Sequence, residues 1–128
     1  MKKILVVDDS PPVRSFIGYH LKQYGFEIIY AEDGLEVLTL LKKEKPDLIF
    51  LDINLPKMNG YVLCRKIKTE ERTKNIPVIL VSQRNTDWDK TWGEKAGANG
   101  YITKPFNHTQ ILEIIKKYFP SEGENINT

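Results

Sequence analysis

Five short apolar runs, each followed by a stretch with helical spacing, constrain this chain more than any other feature. Lys3 to Val7 (Lys-Ile-Leu-Val-Val) is β-branched and does not alternate with polar residues. That is the pattern of a strand buried on both faces, as in a parallel sheet. Glu27 to Ala31, Leu48 to Leu51, Val78 to Val81 and Tyr101 to Thr103 read as four more strands.

The segments between them carry helix signals. Ser10-Pro11-Pro12 pairs a capping serine with prolines whose missing N–H groups cost nothing in a first turn. Val13, Phe16, Ile17, Leu21 and Tyr24 then keep helical spacing, and Gly25 supplies a stop. Asp33 can cap a helix carrying Leu35, Val37, Leu38 and Leu41, which Pro46 ends. Further helices are expected near Tyr61 to Lys68 and Asp87 to Lys95, the latter closed by Gly97. Asn107 caps a last one with Ile111, Leu112, Ile115 and Phe119 on its buried side. Five strand-then-helix units imply an α/β fold with a mostly parallel sheet covered on both faces.

At 128 residues the chain fits one domain. We expect the folded unit over residues 1–119. The polar stretch at 120–128 lacks periodicity and reads as a flexible tail. No apolar run approaches the roughly 20 residues a membrane helix needs. The Met-Lys-Lys start leads directly into a strand, unlike a signal peptide. One cysteine, Cys64, cannot form an internal disulfide, so a reducing, cytoplasmic setting is expected. A net charge of +2, with basic residues dispersed, argues against direct nucleic-acid binding. Lys42-Lys43 and Lys116-Lys117 are placed late in helices, where cations suit the dipole. His20 and His108 have no metal-ligand companion in the sequence, and Cys64 reads as packing beside Leu63 and Ile67.

In open α/β sheets the functional crevice lies beyond the carboxyl ends of the strands. Those ends carry Asp8-Asp9, Asp52, Ser82 and Lys104-Pro105. Three carboxylates brought together repel one another unless a cation lies among them. Mg²⁺ suits such a set, because it takes few carboxylates, keeps waters and shares phosphate oxygens. A carboxylate beside it can accept a phosphoryl group, while an ammonium offsets charge on the transferring oxygens.

The chain resembles the response-regulator receiver domains of two-component signalling. Leu5-Val6-Val7-Asp8-Asp9-Ser10, Leu51-Asp52-Ile53-Asn54-Leu55-Pro56 with Asn59-Gly60, Ser82, and Tyr101-Ile102-Thr103-Lys104-Pro105-Phe106 carry the resemblance. It implies a flavodoxin-like doubly wound (βα)5 fold with strand order 2-1-3-4-5. It implies Asp52 as phosphoacceptor, with Mg²⁺ held by Asp9, Asp52 and the Asn54 carbonyl, and by Asp8 through water. Ser82 and Tyr101 match the switch positions, Lys104 would contact the phosphoryl oxygens, and the bond to Pro105 is expected to be cis. The implied partners are a sensor histidine kinase, or its phosphotransfer domain, and a downstream protein reached through the helix 4–strand 5–helix 5 face. The stretch Asp89-Lys90-Thr91-Trp92-Gly93 with Gly97-Ala98 is similar to stand-alone regulators of pilus-driven motility and phototaxis.

One departure stands beside the switch hydroxyl. The following residue is usually small in this family, and here it is Gln83, then Arg84. Their bulk is expected to slow loss of the phosphoryl group to water. Two other readings stay open. An aspartyl-phosphate hydrolase would typically carry a second aspartate two positions after the nucleophile, where this chain has Asn54. A phosphorylation-independent interaction module would have no need of the acidic set and Lys104. Trp88 and Trp92, one helical turn apart, could pack inward or form an exposed aromatic patch.

Overall fold

A computed structural model describes residues 2–83 and 87–124. Five strands, β1 (Lys3–Val7), β2 (Glu27–Ala31), β3 (Leu48–Asp52), β4 (Val78–Ser82) and β5 (Gly100–Thr103), form one parallel sheet ordered β2-β1-β3-β4-β5. The helices are α1 (Pro11–Lys22), α2 (Gly34–Leu40), α3 (Gly60–Thr69), α4 (Asp87–Lys95), α5 (His108–Tyr118) and α6 (Pro120–Glu124). This is the doubly wound α/β fold with order 2-1-3-4-5 that the sequence implies.

Pleating divides the strand side chains between two cores. Leu5, Val7, Ile49, Leu51, Val78 and Leu80 face Val37, Leu63, Cys64 and Ile67. Ile4, Val6, Phe50, Ile79 and Val81 face Ile17, Leu21, Ile111, Ile115 and Phe119. The three inner strands are buried on both faces, so non-alternating apolar runs are what they require. Side-chain caps start the helices: Ser10 accepts from the Val13 N–H, Asp33 from Glu36, and Asn107 forms a capping box with Gln110.

Several local expectations are corrected. Residues 120–124 form α6 rather than opening an unstructured tail; Pro120 occupies its first position and Glu122 suits the positive end of its dipole. Lys42 and Lys43 lie in the turn after α2, which ends at Leu40. Leu35 is 53% exposed, because α2 is two turns long and turns Gly34 and Val37 inward instead. Phe16 is exposed as well, lying beside the β5–α5 loop instead of over the sheet, with its ring edge-on to Phe106 at 5.7 Å. Cys64 is buried with its thiol against the Ala96 carbonyl, as packing requires.

Candidate functional site

β1, β3, β4 and β5 end on one rim, and the residues there meet although they are far apart in sequence. Asp52 is the last residue of β3, paired in register with Val81, and Ser82 ends β4 beside Thr103. Asp8 and Asp9 follow β1, and Lys104 follows β5. Asp8, Asp9 and Asp52 each offer a carboxylate oxygen, and these lie within 4.8 Å of one another. Asp8 and Asp52 are buried, at 2% and 4% exposure, while Asp9 is open to solvent.

Hydrogen bonds orient the set. One Asp8 oxygen accepts from the Ser10 N–H at 2.8 Å, and the other from the Lys104 ammonium at 2.9 Å. The Asp52 Oδ1 accepts from the Asn54 N–H at 3.1 Å, and Oδ2 lies 3.5 Å from Lys104 Nζ. Arg14 caps the backbone of the acidic turn, donating to the Asp8 carbonyl at 2.6 Å. The Lys104 N–H donates to the Ser82 carbonyl at 2.6 Å, and the Lys104–Pro105 bond is cis. Gly60 fits tightly beneath the Asp52 loop: a Cβ there would come 2.5 Å from the Asp52 carbonyl oxygen and the Ile53 Cα. Glycine is required at that position by close approach.

Electrostatics follow from this packing. Burial, and then the neighbouring Asp8 charge, push the Asp52 carboxyl up to about 6, against the pull of Lys104 and the Asn54 N–H. Burial pulls the Lys104 ammonium down, but its hydrogen bond to Asp8 and the charge of Asp52 outweigh that and hold it above its ordinary value. The rim is therefore short of positive charge. Its donors are hard carboxylate oxygens, a set that fits Mg²⁺ or Mn²⁺. Asn54 lies two residues beyond Asp52 in the same loop.

Every described residue expected at the site is on this rim or immediately behind it. Tyr101 is half-buried behind it, its ring against Gly93 of α4, where a Cβ would meet it at 3.4 Å. Gln83 is exposed and borders the cleft beside Lys104. Arg84 and the Trp88 side chain lie outside the described residues. Two features escaped sequence reasoning. The Tyr61 hydroxyl donates to the Asp89 carbonyl at 3.1 Å and is hydrogen-bonded to Tyr101. His20 and His108, 88 positions apart, bring their Nδ1 atoms within 3.0 Å, and the Tyr24 hydroxyl meets His108 Nε2 at 2.6 Å. Neither contact has a local sequence signal, since both depend on how helices settle on the sheet.

Comparisons with known proteins agree with this geometry. The sequence profile of the response regulator receiver domain matches residues 4–116. PilH of Pseudomonas aeruginosa is 36% identical over 115 residues, covering 90% of this chain and 95% of that protein. Other curated relatives are transcriptional regulators of which the chain spans about half. The chemotaxis response regulator CheY4 of Vibrio cholerae superimposes with a TM-score of 0.86 at 30% identity, covering 92% of this chain and 98% of that one. The receiver domain of the sensor histidine kinase PA1611 from Pseudomonas aeruginosa, described with a magnesium ion coordinated in its active-site cleft, gives 0.84 at 27% identity, covering 94% and 98%.

Proposed function

Because the chain belongs to the response regulator receiver domain family, we propose that it is a phosphoryl-activated switch in which Asp52 accepts a phosphoryl group from a histidine kinase or phosphotransfer domain. The observation that carries this reading is the Asp52 carboxylate, buried at a strand end within reach of one ammonium and two further carboxylates. With its carboxyl at about 6, Asp52 is mostly ionised at neutral pH and able to act as nucleophile.

Asp9, Asp52 and the Asn54 carbonyl would hold Mg²⁺, with Asp8 acting through water. When bound, the ion neutralises charge on the carboxylates and on the transferring phosphoryl oxygens. The chain's own groups do the rest. An Asp52 oxygen forms the new bond to phosphorus as the donor's P–N bond breaks, and the electron pair leaves with the imidazole. The Asn54 N–H keeps the Asp52 carboxylate oriented, and Lys104 turns toward the phosphoryl oxygens. Ser82 donates to the attached group.

A cleft of about 590 Å³ adjoins the rim, bordered by Pro12, Val13, Phe16, Pro105 and Phe106. Its apolar walls suit docking of a helical phosphodonor next to Asp52. Phosphorylation then biases a two-state equilibrium in which Ser82 and Tyr101 reposition and alter the α4–β5–α5 face for a protein target. Residues 1–119 constitute the receiver unit in this reading. The setting in this reading is the cytoplasm, and the context is pilus-driven motility or phototaxis.

Incubation with acetyl phosphate and Mg²⁺, followed by mass spectrometry, tests the assignment. One base-labile phosphoryl group is expected, absent in Asp52→Asn and after chelation. Labelling that survives Asp52→Asn would misplace the site. No labelling at all would favour a phosphorylation-independent module, and sustained release of phosphate a hydrolase.

A further inference from the structure

α3 and α4 pack side by side over one face of the sheet, and the groove between them exposes two large apolar side chains. Val62 is 50% exposed and Trp92 43% exposed. With Tyr61 and Ala96 they line a cavity of about 120 Å³. Small-molecule sites are larger, roughly 300–1,000 Å³, so this one has room for an anchoring side chain rather than a ligand. Large exposed apolar patches rimmed by polar residues mark protein contact sites.

The charge of the groove is one-sided. Its two ionic members are Arg65 and Lys95, both cations. They are held in place: the Arg65 guanidinium donates to the Lys95 carbonyl at 3.3 Å, and the Lys95 ammonium lies 5.4 Å from the centroid of the Trp92 ring. Tryptophan and arginine are among the residue types that dominate binding energy at interfaces.

The groove is also wired to the switch. Tyr61 opens α3 and lines the groove, yet its hydroxyl bonds Asp89 of α4 and Tyr101 behind the phosphorylation rim. The Tyr61 hydroxyl thus links α3 to α4 and to β5. Repositioning Tyr101 therefore removes a partner from the residue that joins α3 to α4.

We infer that the α3–α4 groove is a docking surface for an acidic amphipathic helix, which seats one apolar side chain beside Trp92 and Val62 and places carboxylates on Arg65 and Lys95. Helix-in-groove recognition of this kind reads an apolar anchor on one helical face and uses rim charge for register and specificity. The surface lies on the opposite side of α4 from β5 and α5, so it is separate from the output face proposed above. Its dependence on phosphorylation rests on the receiver reading; its existence does not.

The test uses a synthetic helical peptide with leucines on one face and glutamates elsewhere, and a twin with lysine in place of glutamate. Binding to the full chain is followed by amide chemical shifts and tryptophan fluorescence, with and without acetyl phosphate and Mg²⁺. The acidic peptide should bind at least about tenfold more tightly than its twin, shift amides of α3 and α4, and be lost in Trp92→Ala. In the Arg65→Glu, Lys95→Glu double variant the preference should invert to the basic peptide, a gain that misfolding cannot mimic. In Tyr61→Phe the response of peptide binding to phosphorylation should disappear. No binding, equal binding of the two peptides, or shifts confined to the cleft around Phe16 and Phe106 would overturn the inference. Asp52 labelling with no peptide binding sinks the groove alone. Binding without labelling retains the groove and sinks the receiver reading.

Discussion

The Lys104 ammonium is held 2.9 Å from Asp8, the neighbour of the expected phosphoacceptor, and stands further off from Asp52, at 3.5 Å. The cation thus neutralises the supporting carboxylate and leaves Asp52 the less compensated of the two. Burial and the Asp8 charge raise Asp52 as a result. Without a divalent cation, the rim is electrostatically loaded against the charged form of Asp52.

That load has a sign in stability. The Asp52 carboxyl is raised from 3.8 to about 6 on folding, so the folded state prefers the protonated form. Its favourable contribution is complete below pH 3.8 and is lost as pH rises through about 6. In metal-free protein at pH 7.5, Asp52→Asn should therefore raise the melting temperature by several degrees, corresponding to on the order of 2–3 kcal/mol. Added Mg²⁺ should stabilise the parent and hardly affect the variant. Thermal melts over pH 4–8 check this, and a destabilised Asp52→Asn at pH 7.5 would count against it.

Lys104→Ala removes the one side-chain cation that, among the described residues, is paired with the carboxylates of the rim. Phosphoryl transfer from acetyl phosphate should slow by roughly 10²–10³, the usual cost of losing one preorganised group that stabilises developing charge. Initial labelling rates measure the effect, and a rate within a factor of two of the parent would remove Lys104 from the chemistry.

Gln83 borders the cleft beside Lys104 with its side chain exposed. If its bulk limits attack by water on phosphorylated Asp52, Gln83→Ala should shorten the lifetime of the phosphorylated form several-fold while leaving the labelling rate similar. Decay of the label after removal of acetyl phosphate decides it. An unchanged half-life eliminates this role.

Gly60→Ala tests the support beneath the site. The new methyl group would meet the Asp52 carbonyl and the Ile53 Cα, both backbone atoms that cannot move alone. A loss of about 1–3 kcal/mol is expected, accompanied by slower labelling because the Asp52 loop must shift. Denaturant unfolding supplies the first measurement. Full stability with full labelling would show that the loop yields without cost.

The paired imidazoles make a pH prediction of opposite sign. Burial, then the charge of His108, lower the His20 value below 6.5. Its contribution to the α1–α5 contact is present above pH 6.5 and is lost as pH falls through the lowered value. NMR titration should find His20 below 6.5, and only partly restored in His108→Ala, since burial is the larger cause. A normal His20 titration would mean that the 3.0 Å contact is not kept in solution.

Local pattern carried most of the fold. Strand burial, helix caps at Ser10, Asp33 and Asn107, and the chain order of elements are each written within a few residues, because caps and periodicity act over short spans. Parallel strands end on a common rim, so the convergence of Asp8, Asp9, Asp52, Ser82 and Lys104 followed from placing the strand ends correctly. The errors arose where composition was read without its surroundings: Phe16 and Leu35 look like core residues but fall outside it, and the polar run at 120–124 folds as α6.

The sequence by itself therefore determined the architecture and which side chains share the rim. The tertiary structure alone decided which carboxylate Lys104 favours, that His20 meets His108, and that Tyr61 bonds both Asp89 and Tyr101. Those choices are made by fractions of an ångström in how helices settle against a twisted sheet. Contacts between residues tens of positions apart depend on that settling and leave no periodic trace along the chain.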